Sequence, residues 1–329
     1  MDNKTNKRVN GFFLCLIMLH IGASVLLSVL GVSAANLGTF GALMFTQLLI
    51  LVPSFVFLLI FKCDLSVWIQ FRKLRLRTVA LVILFTFMTM PLISLINVFS
   101  QLFTTNTAVE MSGELMEMPV VLTVFMVGFF GPFCEEFTFR GVIFGGLKQG
   151  GYVFAAAALS GLYFGLMHLN LNQFSYALVL GVVFCLLREA TGSIFGPVIA
   201  HAVINTWNVI LMFALDRAYT GMGMDVFELS EEAATTDLKL EVMGIFLVIS
   251  VVTTAIAAGV YIAICRSEGR MDNVISMFHR PTGEDSVHTD TLKKHKLVTL
   301  SGYLAIFVCL YVIFFLDKTI SWVQKTTIK

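Results

Sequence analysis

Nine long apolar stretches recur along the chain, near 11–34, 38–61, 79–103, 119–148, 151–169, 173–188, 192–215, 241–264 and 298–316. A helix needs roughly 20 mostly apolar residues to cross a hydrocarbon core about 30 Å thick, and a backbone inside lipid must satisfy its own hydrogen bonds. The sequence therefore predicts an all-α, polytopic transmembrane helix bundle of about nine spans, within eight to ten. Composition agrees: 57% of the 329 residues are hydrophobic and 13% are charged, against about a quarter charged in an ordinary soluble domain. A net charge of +1 gives no overall basic excess for nucleic acid. Cys15, Cys63, Cys134, Cys185, Cys265 and Cys309 form no C-x-x-C pair, which argues against a disulfide framework or a thiolate zinc site.

The first stretch follows Lys4, Lys7 and Arg8, and Val32-Ser33-Ala34 resembles a signal-peptide cleavage site. The run is longer than a signal core, so a retained first span is expected. With the N-terminus in the cytoplasm, sixteen of the 22 Lys and Arg residues fall on the inner side, five of them in 62–78 and six between Arg266 and Lys296. Lys148 and Arg188 count there as loop bases. The connection 104–118 carries Glu110, Glu114 and Glu117 without a base, and 216–239 is also acidic, as exterior loops should be. The expected location is the cell membrane. Segment 65–77 reads either as a topology-fixing loop or as an amphipathic surface segment built on Trp68, Ile69 and Phe71. Gly141-x-x-x-Gly145 and Gly161-x-x-x-Gly165 fit close packing of the fourth and fifth spans. Three regions follow: 1–118 with the N-terminal spans and basic loop, a core at 119–215, and 216–329 with the acidic connection and last spans.

Ionisable side chains deep in lipid are costly and usually functional. The fourth span holds Glu135, Glu136 and Arg140, the fifth ends at His168, and the seventh contains His201 and Asn205. At about 1.5 Å per residue, these groups reach depths of roughly 14 to 24 Å from the cytoplasmic ends, and so meet at overlapping levels in a polar intramembrane cavity. Glu136 and Arg140 stand at i and i+4 and can pair; Glu135 points about 100° away and stays free. His201 and Asn205, also i and i+4, aim two donors at one point. Pro132, behind Gly128 and Gly131, predicts a kink or a widened turn. A carboxylate and an imidazole can deprotonate a shared water while two donors hold an oxyanion, which is equipment for amide hydrolysis. Other readings remain open at this point: an ion-pair network that fixes register, histidines that only hydrogen-bond between helices, and Glu135, His168 and His201 as zinc ligands. Cys134 has no general base within sequence reach, His20 reads as a satisfied core histidine, and Asn170 with Asn172 as a turn.

The motifs EExxxR (Glu135 to Arg140), FxxxH (Phe164 to His168) and HxxxN (His201 to Asn205) resemble those of the CPBP family of intramembrane glutamic endopeptidases. That family includes CAAX prenyl endopeptidases and bacterial abortive-infection and bacteriocin-immunity proteins. The resemblance covers about 119–210. It implies that Glu135 and His168 activate water, His201 and Asn205 stabilise the oxyanion, Glu136 and Arg140 support the site, and Phe164 packs beside it. It further implies a bundle of about eight helices, no metal and no cofactor, with a membrane-embedded or membrane-associated peptide or protein as substrate. The alternative is a non-catalytic membrane scaffold or immunity protein on the same fold. Oligomeric state is not legible.

Overall fold

A computed structural model describes residues 3–31, 34–104, 107–223, 235–278 and 296–327. The cleavage-like Val32-Ser33 and large parts of the connections 216–239 and 266–297 lie outside the described residues. The elements run α1 (Asn3–Val29), α2 (Ala34–Ile60), α3 (Leu65–Trp68), α4 (Leu76–Ser100), α5 (Thr107–Met116), α6 (Val120–Gly150), α7 (Val153–Met167), α8 (Leu171–Thr191), α9 (Phe195–Gly221), α10 (Thr236–Ser267), α11 (Met271–Ser276) and α12 (Leu300–Thr327). There is no strand among the described residues.

Each of the nine expected stretches is a helix. Among the described residues, α1, α2, α4, α6, α8, α9 and α10 are long and apolar enough to cross a membrane, while α7 and the apolar Leu300–Phe315 part of α12 are shorter. The chain is thus an all-helical, multi-pass membrane protein. Boundaries follow local chemistry. The Asn170 side chain accepts from the Gln173 N–H at 2.8 Å and starts α8. Gly192, at φ 63°, ends it with its N–H on the Arg188 carbonyl. Asn172 is not part of a turn: it is buried and donates to Asn97 Oδ1 at 2.9 Å and Ser100 Oγ at 2.8 Å, pinning the tip of the α7–α8 hairpin to the end of α4.

Packing partners differ from the sequence expectation at the glycines. Gly161 and Gly165 face α8 rather than α6; a methyl on Gly181 would stand 2.5 Å from the Gly161 Cα, so the two backbones touch there. Gly141 and Gly145 instead receive Ile69 and the Trp68 carbonyl, at the C-terminal end of α3. Sequence spacing locates a close approach but not the element that makes it.

Segment 65–77 departs from the amphipathic-surface form built on Trp68, Ile69 and Phe71. Trp68 and Ile69 are buried in the main core beside Phe144 and Leu147, and do not lie on lipid. Arg72 pairs with Glu268 at 2.7 Å and donates to the Thr191 carbonyl, and Arg75 donates to the Ser267 carbonyl at 2.9 Å. The fully buried Arg188 donates to the carbonyls of Trp68 and Arg140, so it is an interior tie and not a loop base. Lys148 and Arg270 share Glu189, at 2.6 and 3.4 Å. One end of the bundle is therefore closed by a plug of chain and paired charge.

Candidate active site

The site is built on α6, whose helical winding changes along its length. Two wide π-helical segments, Val124–Phe130 and Phe137–Phe144, flank a short α-helical piece, Gly131–Glu136. Pro132 has no N–H, and the Gly131 N–H reaches back five residues to the Met126 carbonyl, which is the widening that Pro132 predicts. Wide turns leave carbonyls exposed to side-chain donors, and each donor comes from a neighbouring helix. Asn205 Nδ2 donates to the Val127 carbonyl at 3.0 Å, Thr206 Oγ1 to Gly128 at 3.4 Å and Ser160 Oγ to Phe139 at 3.1 Å, with Arg188 on Arg140. In lipid these bonds are obligatory, so the irregular helix is locked to α7, α8 and α9.

This winding turns the two glutamates to different surroundings. Glu136 is fully buried, with its Oε1 3.1 Å from Arg140 Nη1 and accepting from His201 Nδ1 at 2.8 Å. The Arg140 guanidinium lies over the rings of Phe164, 4.2 Å from its centroid, and Phe184, at 5.0 Å. Glu135 keeps 22% of its side chain exposed and stands 3.8 Å from His201 Nε2. His168, which caps the C-terminus of α7, donates Nδ1–H to the Phe164 carbonyl at 2.9 Å, which leaves Nε2 with its lone pair. Phe164 packs edge-on against both His168 and His201.

Glu135, Phe164, His168, His201 and Asn205 all line one cavity of about 680 Å³, within the usual range for a ligand site. Glu136 and Arg140 form its buried support and do not line it. One expectation changes in detail: Asn205 already spends one amide N–H on Val127, so only its second can face the cavity. Cys134 is fully buried and outside the lining. Among the described residues, no group of three or more His, Cys, Asp or Glu is placed to hold a metal ion, so Glu135, His168 and His201 do not form a zinc set in this geometry.

Sequence reasoning missed Gln47. From α2, far outside the motif region, its Nε2 donates to Glu135 Oε1 at 3.4 Å, and Gln47 also lines the cavity. The available signal is an amide in the middle of an apolar span, but Gln47 lies outside every motif, so spacing assigns it no partner. Asn97, Gln173, Tyr176 and Asn208 were missed for the same reason.

Residues 117–207 match the family model described as Type II CAAX prenyl endopeptidase Rce1-like. The chain is also 30% identical over 128 residues to a Bacillus subtilis (strain 168) protein named "Putative membrane peptidase YdiL", an alignment that covers 39% of this chain and 48% of that one. The chain thus spans about half the length of this curated relative. No solved structure matches the chain.

Proposed function

We propose that this chain, whose residues 117–207 match the Rce1-like CAAX prenyl endopeptidase model, is an intramembrane glutamic endopeptidase that hydrolyses a peptide bond of a membrane-associated peptide without a metal. In this reading the Glu135 carboxylate and His168 Nε2 hold one water between them and take its proton as it attacks the scissile carbonyl. His201 Nε2–H, when the ring carries both protons, and the second N–H of Asn205 stabilise the oxyanion. The proton then passes to the leaving amine from the same Glu135–His168 pair. Glu136 fixes the His201 ring through Nδ1, an orienting bond of the kind that serves histidines in many sites, and Arg140 holds Glu136 in place.

The observation that carries this reading is the convergence of Glu135, His168, His201 and Asn205, from three separate helices, on one intramembrane cavity. The non-catalytic scaffold reading gives no reason to keep Glu135 apart from the Glu136–Arg140 pair. Comparison of membrane-peptide profiles from cells carrying the wild-type chain and Glu135→Ala tests the proposal: an uncleaved precursor should accumulate only with the variant. Identical profiles, with both proteins equally abundant in the membrane, contradict it. Purified enzyme should keep its turnover in a chelator, and a loss reversed by zinc would overturn the metal-free mechanism.

A further inference from the structure

The cavity is not symmetric across the bundle. On α9 its lining runs from His201 to Leu215, fourteen residues and about 21 Å of helix. It continues over Asn97 near the end of α4 and over Ser112 and Met116 of α5, all at the end of the bundle away from the basic plug. In the other direction it stops at fully buried side chains: Arg140, Phe144, Arg188 and Ile69 leave no lining residue between the site and the plug. The charges divide the same way. Arg72, Lys73, Arg75, Arg77 and Lys148 crowd the closed end, partly paired with Glu189 and Glu268, while the open one holds the exposed Glu114 and Glu117 against Arg217 and Lys239. Basic residues are retained on the cytoplasmic side of membrane proteins.

We infer that the cavity is entered from the extracytoplasmic face, and that the substrate is a peptide presenting an apolar segment and its scissile bond in the outer half of the bilayer. The substrate part rests on the peptidase reading; the direction of entry does not. Much of the lining beyond His201 is apolar, as at Met116, Met212 and Leu215, which suits a lipid-borne segment. The four polar groups of the site lie at its inner limit, where the bond to be cut would stop.

The test is thiol accessibility in the full chain. Met212→Cys reports on the cavity, Lys73→Cys on the closed end and Glu117→Cys on the open end, with the wild-type chain as the background of natural cysteines. A membrane-impermeant sulfonated maleimide is applied to spheroplasts, to inside-out vesicles and to detergent-solubilised membranes. Met212→Cys and Glu117→Cys should label in spheroplasts, and Lys73→Cys only in inside-out vesicles. The inference is overturned if Met212→Cys labels from the same side as Lys73→Cys, if it labels only in detergent, or if Lys73→Cys labels in spheroplasts. Leu215→Cys repeats the cavity measurement should Met212→Cys fail to accumulate. Adding Glu135→Ala to Met212→Cys should leave the labelling unchanged, so this result stands or falls apart from catalysis.

Discussion

Arg140→Leu is expected to destabilise the folded chain by about 3–5 kcal/mol, because it strands the Glu136 carboxylate in the protein interior. Both side chains are fully buried, their contact is 3.1 Å, and the neighbours of the guanidinium are the faces of Phe164 and Phe184, which cannot replace a cation. Breaking one half of such a pair costs more than removing both, since the remaining buried charge keeps only the bond from His201 Nδ1 and has lost its cation. The double variant Glu136→Gln/Arg140→Leu should therefore recover part of the loss in thermal unfolding of the detergent-solubilised protein. It should not recover cleavage, because His201 Nδ1 would lose its carboxylate partner. An Arg140→Leu protein as stable as wild type would show that the pair is not what holds α6 in its register.

The second large effect is catalytic. Glu135→Gln should lower cleavage of the accumulated precursor by roughly 10²–10⁴-fold, the range attributed to a positioned general base. Stability should hold or rise. Glu135 is partly exposed to the cavity and accepts a long, 3.4 Å hydrogen bond from Gln47, so little packing is lost with the charge. The two adjacent glutamates thus separate by experiment: position 135 governs rate, and the pairing at 136 governs folding. Thermal unfolding and cleavage measured on the same preparation distinguish them. Retained cleavage by a well-folded Glu135→Gln protein would remove the carboxylate from the mechanism.

Much of this architecture was legible because hydropathy reports a lipid-facing helix directly. The helices at the nine apolar stretches, the Glu136–Arg140 pair and the separate direction of Glu135 follow from period and spacing alone. What escaped are partnerships between elements remote in sequence. Arg188 reads as a loop base by position, yet it is buried and ties Trp68 and Arg140 to α8. Segment 65–77 carries enough charge to look like a surface loop, while Trp68 and Ile69 insert beside Gly145 and Gly141. Pro132 announces a disturbed helix but not that Asn205 and Thr206 would donate to the carbonyls of Val127 and Gly128 beside it. Gln47 belongs to the same class: an amide has no charge to betray it, and its partner lies 88 residues away.

Whether Glu135 and His168 act on a single water is tested most directly by single-turnover cleavage with Glu135→Gln, His168→Gln and the double variant, all shown to be folded. Groups that work as one unit are strongly non-additive. The account predicts that the double variant is no slower than the slower single variant. Losses that multiply would mean that the two side chains act independently, and would contradict it.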